Sequence, residues 1–274
     1  VSPPTLPSPT WFVGCGNMAG AMIEGWRSAG VDFSNAVAIR PSGKPVEGVR
    51  TVTSMEEAGP PPRLAILGFK PQKLDEVAPE FGRLLNEETV VVSILAGVEA
   101  ASLRGRFLRA RSIVRAMPNL PVSIRRGVIA LYSDDADDPL RRQLSELAAT
   151  LGYALWASSE ATLAAIGSVA GAGPAYVARF IAALAKAGQR RGLPESLATT
   201  IATETVLGTA WLAAATRESM DEIVRRVASP NGTTEAGLAV LDREGVLDAL
   251  IGHTIDAAAR RGAELAEEAA DASS

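Results

Sequence analysis

Directly after the short apolar run Trp11-Phe12-Val13 stands Gly14-Cys15-Gly16-Asn17-Met18-Ala19, and a helix-like segment runs from Met18 to Ala29. A G-x-G-x-x-G/A spacing between a strand and a helix restricts the fold more than any other feature of the chain. The first glycine permits a tight turn, the second lets the backbone approach a pyrophosphate, and a small third residue lets the helix lie close on the strand. The helix start adds free N–H groups and partial positive charge. Gly14, Gly16, Asn17, Met18 and Ala19 are therefore the expected phosphate end of a dinucleotide site.

The surrounding pattern supplies the context this turn requires. Further apolar runs follow at Val37-Ile39, Leu64-Leu67, Val90-Ile94, Ser112-Val114 and Val128-Leu131. Helix-like segments separate several of them, at Pro71-Leu85 and Ala100-Phe107. Strands that are apolar throughout and alternate with helices belong to a mostly parallel sheet covered on both faces. The expected fold is α/β, a doubly wound Rossmann-type domain closed by a helix over Pro139-Gly152 and a last strand at Ala154-Trp156. From Glu160 onward the strand signal gives way to alanine-rich helical segments, which predict a second, all-helical domain. The boundaries are a flexible leader at 1–10, the dinucleotide-binding domain at 11–158 and the helical domain at 159–274. Ala175-Ala185 is apolar almost all round, more than a lone small domain can bury, so a homodimer through the helical domain is expected, with further assembly left open. The apolar stretch from Leu193 to Ala215, broken by Glu195, Glu204 and threonines, reads as a buried helix and not as a membrane span.

Composition limits the partners. With 27 basic against 31 acidic residues, no attraction to nucleic acid or anionic lipid is expected, which leaves a small molecule. The single cysteine and single histidine exclude a disulfide framework and leave no expected metal site, and they suit a reducing cytoplasm. Cys15 reads as a small packing residue, with a thiolate pKa depressed by the helix start as a further expectation. At the end of the second strand, where enzymes that use NAD place an acidic residue on the ribose, stands Arg40, with Ser42 and Lys44 close behind. Positive charge and a hydroxyl suit a 2′-phosphate, so NADPH is the expected cofactor, with NADH as an alternative donor.

Four further segments, in order, are Phe69-Lys70-Pro71-Gln72, Ser93-Ile94-Leu95-Ala96-Gly97-Val98, Arg115-Ala116-Met117-Pro118-Asn119-Leu120-Pro121 and Ser229-Pro230-Asn231-Gly232-Thr233-Thr234-Glu235-Ala236-Gly237-Leu238. Together with Gly171-Ala172-Gly173-Pro174-Ala175-Tyr176 they resemble the pyrroline-5-carboxylate reductase family over Phe12 to about Arg261. The resemblance implies that Lys70, Pro71, Ala96, Gly97, Met117, Pro118 and Asn119 border the cofactor and its nicotinamide. It also implies that Ser229, Gly232, Thr233 and Thr234 hold a cyclic imino acid. Asn231 replaces a glycine that many members carry, and asparagine tolerates the backbone angles such a loop needs.

Reduction of a C=N bond to give proline requires a hydride, an electrophilic carbon and a proton on nitrogen, so positioning dominates. Thr234 is the expected catalytic residue, its hydroxyl polarising the ring nitrogen. His253 and Glu204 read as packing, surface or interface residues. The rival readings are an imine reductase with another substrate, a β-hydroxyacid dehydrogenase using Lys186, and a non-catalytic NADPH-binding protein.

Overall fold

A computed structural model describes residues 4–271 of the chain. Eight strands form one sheet: β1 (Thr10–Val13), β2 (Ala36–Ile39), β3 (Arg50–Val52), β4 (Leu64–Leu67), β5 (Val90–Ser93), β6 (Ser112–Pro118), β7 (Gly127–Tyr132) and β8 (Gly152–Trp156). Their spatial order is β3-β2-β1-β4-β5-β6-β7-β8. All neighbours pair in parallel except β6 with β7. The short edge strand β3 carries only Arg50-Thr51-Val52, too few apolar residues to register as a strand in the sequence pattern.

The strands are apolar throughout because both faces are covered. Phe12, Ala38, Ile66, Val92 and Val114 face one layer, together with Met22 and Trp26 of α1 (Asn17–Ser28) and Leu140, Leu144 and Leu147 of α4 (Asp138–Ala149). Trp11, Val13, Val37, Leu67, Val91 and Ile113 face the other, with Phe81 of α2 (Leu74–Leu84) and Leu103 of α3 (Ala100–Arg106). Period-two alternation thus serves two cores. The segment expected to be one helix from Pro71 begins as a short 3₁₀ turn, Pro71–Lys73, before α2.

The expected leader differs in its described part. Thr10 lies in β1 and is fully buried, and Leu6 packs against the core. Residues 1–3 lie outside the described residues.

The remaining helices are α5 (Glu160–Ile166), α6 (Gly173–Arg190), α7 (Glu195–Thr216), α8 (Met220–Val227), α9 (Thr233–Leu241) and α10 (Val246–Asp271). A π-helical turn, Gly167–Gly171, joins α5 to α6. The chain divides into two compact units, one running to Ala172 and taking in residues from Ala258 onward, the other Gly173–Ala257. This division falls later in the chain than the expected boundary at 158/159. Leu163 is buried among Ala130 and Ala157, and the Asn119 side-chain amide donates to the Ala170 carbonyl at 3.0 Å, so residues 159–172 stay with the sheet.

The helical unit by itself has a thin core. Between residues 173 and 257 only Ala185, Ala198, Ala202 and Ile223 are buried. α7, expected to be a buried helix, instead leaves Leu197, Ile201 and Leu207 close to half exposed.

Candidate active site

The sheet's strand order reverses direction between β1 and β4, and at such a switch the carboxyl ends of two strands open a crevice for ligands. Gly14 closes β1 there. It has a φ of 76°, and a Cβ added to it would meet the Phe69 backbone nitrogen at 2.8 Å. Both the left-handed angle and the close approach demand glycine. Gly68 follows β4 and sits against the Ala19 methyl of α1, so the small residue at the third fingerprint position lets α1 lie on the strand ends.

Gly16 is different. A Cβ there would meet only the Gly68 carbonyl oxygen, at an ordinary 3.6 Å. No protein atom explains this glycine, so the space above it is available to a ligand that approaches the backbone. Gly16 is also the N-cap of α1, which has no side-chain cap and no acidic residue in its first turn. The N–H groups of Asn17 and Met18 thus start a helix with nothing local to satisfy them, which is the donor set a pyrophosphate requires.

A groove of about 460 Å³ runs from this turn past Cys15, Gly16, Asn17, Arg40 and Lys44. The Arg40 guanidinium is held by the Lys44 carbonyl, to which Nη1 donates at 2.9 Å, and the turn is closed by the Gly43 N–H on the Arg40 carbonyl at 2.8 Å. Ser42 and Lys44 are exposed on the same turn. These residues fit the adenosine end of a dinucleotide bearing a 2′-phosphate. Cys15 is buried, in line with a packing residue, but its thiol departs from the expected depression. Burial pushes its thiol up, only partly offset by the Arg40 charge, so it is a packing residue and not an activated thiol.

At the other side of the switch, Lys70 is exposed and Pro71 half-buried at the start of the 3₁₀ turn. Ala96 is exposed, while Gly97 has a φ of 75°. Met117 packs against the β7–α5 cluster, and Pro118 and Asn119 are buried. The Asn119 side chain is fully engaged within the sheet unit: Oδ1 accepts the Val128 N–H at 2.8 Å while Nδ2 serves Ala170. Its backbone is paired as well, the N–H donating to the Val128 carbonyl at 3.2 Å and the carbonyl accepting the Val122 N–H at 3.1 Å.

In the helical unit, Ser229-Pro230-Asn231-Gly232 forms a turn closed by the Gly232 N–H on the Ser229 carbonyl at 3.0 Å. Asn231 has a φ of 58°, the left-handed geometry for which glycine or asparagine is suited. Gly232 is the N-cap of α9 without a side-chain cap, and Thr233 and Thr234 form its first turn. Free N–H groups and two hydroxyls at a helix start match a carboxylate ligand. Glu235 had no role in the sequence reading, yet its carboxylate accepts the Asn231 N–H at 2.6 Å and braces the turn. Gly68 and Phe69 shape the fingerprint turn but had no role in the sequence reading, although Phe69 opens the Phe69-Lys70-Pro71-Gln72 segment. Lys186 and His253 are exposed on their helices.

A Rossmann-type sheet with an uncapped glycine turn at its switch point, joined to a helical unit, defines the class of dinucleotide-binding proteins with a helical companion domain. The family model described as pyrroline-5-carboxylate reductase dimerisation matches residues 160–265, and that described as NADP oxidoreductase coenzyme F420-dependent matches residues 11–97. A pyrroline-5-carboxylate reductase of Pseudomonas aeruginosa is 35% identical over 264 residues, covering 94% of this chain and 96% of that protein. The structure of a pyrroline-5-carboxylate reductase from Coxiella burnetii superposes with a TM-score of 0.86 at 30% identity, covering 95% of this chain and 99% of that one. A Plasmodium falciparum pyrroline carboxylate reductase with NADP bound, 22% identical, shares the fold with a TM-score of 0.85 over 94% of this chain and 98% of that one. The chain belongs to the pyrroline-5-carboxylate reductase family.

Proposed function

We propose that the protein reduces 1-pyrroline-5-carboxylate to L-proline with NADPH as hydride donor. What carries this reading is a pair of helix starts in a chain of this family: α1, uncapped above a glycine that no protein contact explains, and α9, uncapped behind a turn bearing two threonines. The first suits a pyrophosphate and the second a small carboxylate.

Bound NADPH supplies the hydride; the chain's own residues do the rest. Gly16 and the first N–H groups of α1 hold the phosphates, while Arg40, Ser42 and Lys44 select the 2′-phosphate. Lys70, Pro71, Ala96, Gly97, Met117, Pro118 and Asn119 border the nicotinamide end. Ser229, Gly232 and Thr233 anchor the substrate carboxylate at the start of α9. The Thr234 hydroxyl donates to the ring nitrogen and makes the adjacent carbon more electrophilic. A threonine hydroxyl does not ionise near neutral pH, so Thr234 polarises and is not a base.

The deciding experiment follows NADPH oxidation by the purified protein with pyrroline-5-carboxylate, beside NADH and a panel of hydroxyacids and other cyclic imines. Proline formation that is faster at low NADPH than at low NADH supports the reading; turnover of hydroxyacids alone sinks it. Thr234→Val should lower kcat roughly 100-fold while leaving NADPH affinity within a few-fold. Unchanged turnover would remove Thr234 from its role.

The dimerisation description of the matched model, together with the thin core of residues 173–257, supports a homo-oligomer, and the reading is completed by a homodimer through α6 and α7. Among the described residues, the helical run Glu160–Arg190 is long and apolar enough to cross a membrane. Its first turn carries Glu160 in an ion pair with buried Arg115, and Leu163 lies in the sheet's core, so its apolar surface is better used against a second copy than against lipid. A cytoplasmic location fits that reading.

A further inference from the structure

Arg115 interrupts the apolar run of β6, and it is only 6% exposed. Its register neighbours are Ser93, the last residue of β5, and Tyr132 on β7, which places it inside the sheet two residues before Met117. Its Nη1 donates to Oε2 of Glu160, the first residue of α5. The other oxygen of that carboxylate, Oε1, accepts the backbone N–H of Ala100 at 2.7 Å.

Ala100 opens α3, and Glu99 before it provides no side-chain cap. Glu160 thus supplies from sixty residues away the cap that α3 lacks locally. The segment Ile94–Glu99 lies between β5 and α3, so its near end is fixed by the sheet and its far end by Glu160. Inside it Leu95 and Val98 are buried in the core and Gly97 lies against the backbone of Leu265 and Ala266, while the backbone ties are the Ile94 N–H on the Leu67 carbonyl at 3.1 Å and the Leu95 N–H on Ser93 Oγ at 3.3 Å. Gly97, in left-handed geometry, sits in the middle.

A partly buried ion pair such as this, with Arg115 buried and Glu160 half-buried, is weak evidence for stability; fixing one arrangement is a use better suited to it. The Arg115 guanidinium is fixed in orientation by the strand, and the carboxylate it holds has its second oxygen on the loop's exit. None of these residues touches the phosphate end of the groove.

We infer that the Arg115–Glu160 pair positions the Ile94–Glu99 loop, and through it the nicotinamide end of the cofactor. Both are positioning residues; neither touches the reacting atoms. The inference rests on the proposed reductase reading for its kinetic consequence, but its structural consequence stands apart. Loss of the pair frees the loop's exit, so the hydride donor is held less closely to its acceptor, while the phosphates and the 2′-phosphate turn bind as before. Misplacement of about an ångström in such a step costs on the order of 100-fold in rate.

The test compares Glu160→Ala, which loses both contacts, with Glu160→Gln, which keeps an oxygen for the Ala100 N–H but loses the charge. Three readouts are taken on the full-length protein: hydrogen exchange of the amides of residues 94–102, the primary isotope effect with NADPH deuterated at nicotinamide C4, and NADPH affinity by fluorescence titration. In Glu160→Ala, exchange in 94–102 rises at least tenfold while β1 and β4 keep their protection. Its kcat falls roughly 10- to 100-fold with a larger isotope effect, and NADPH affinity stays within about threefold. Glu160→Gln lies between it and the wild type. Wild-type exchange rates in 94–102 of Glu160→Ala overturn the clamp, as does an unchanged isotope effect in a protein that turns over. If the wild type does not reduce pyrroline-5-carboxylate, the reaction assignment fails and the exchange comparison alone decides the clamp. If Glu160→Ala does not fold, the same comparison is read from Glu160→Gln, where exchange and isotope effect equal to wild type overturn the inference.

Discussion

Single residues at the switch point divide into those the fold requires and those it does not. Gly14 is required, since its φ of 76° and the Phe69 backbone leave no room for a side chain. Gly16 is not: a Cβ there would meet only the Gly68 carbonyl oxygen, at 3.6 Å. Arg40 lies in the same groove with its guanidinium tethered to the Lys44 carbonyl. A charge-assisted bond to a phosphate is worth about 1.5–3 kcal/mol, so Arg40→Ala should raise KM for NADPH roughly 10- to 100-fold and leave KM for NADH nearly unchanged. Steady-state kinetics with both cofactors checks this, and equal losses with the two would remove Arg40 from the selection. Asp135 illustrates a purely structural carboxylate. Burial raises its pKa, but the hydroxyls of Ser112 and Ser133 and the Arg104 guanidinium together outweigh burial and hold it below the usual range. A depressed carboxylate contributes stability that is present above its unfolded pKa and lost as pH falls through the folded one. Asp135→Asn should therefore be less stable at neutral pH and lose less further stability below about pH 4. Urea midpoints at neutral and acid pH measure both effects.

Among the elements, α1 carries the most constraint. Trp26 Nε1 donates to the Leu147 carbonyl at 2.9 Å, which ties α1 to α4. On the same helix Gly25 lies against the turn after β6, where a Cβ would stand 2.1 Å from the Val122 carbonyl oxygen. The neighbour is backbone and cannot swing away. Gly25→Ala should destabilise by about 3 kcal/mol, lowering Tm by roughly 6–12 °C in a chain of this size; an unchanged melting curve would mean that α1 and the turn can separate at little cost. Nothing in the sequence around Gly25 announced this contact, because the carbonyl comes from nearly a hundred residues away. Most helices and strands were legible from apolar periodicity and from glycine and proline at their ends. β3 was not, being three residues at a sheet edge, and neither was the π-helical turn that continues α5 into α6, since its backbone is held by Asn119 from another element.

For the whole molecule, the helical unit sets the question. With four buried residues between 173 and 257 and Phe180, Leu184 and Ile201 among its exposed apolar side chains, it has too little core to account for an ordered fold by itself. A second copy placed on α6 and α7 would supply the missing burial. Phe180→Glu should then give a species of lower mass by sedimentation and a lower Tm. The wild-type Tm should rise with protein concentration, as it does when folding and association are coupled. A wild-type monomer at all concentrations would refute that reading. The amino-acid sequence by itself determined most of the strands and helices, the glycine turn and the threonine turn, because each depends on residues adjacent in the chain. It also put Arg40 directly after β2. The tertiary structure alone decided that burial raises the Cys15 thiol pKa, that the Asn119 side chain is engaged, that residues 159–172 pack with the sheet, and that Glu160 caps α3. Each of these depends on burial or on a hydrogen bond from a distant part of the chain, and neither is encoded in local spacing.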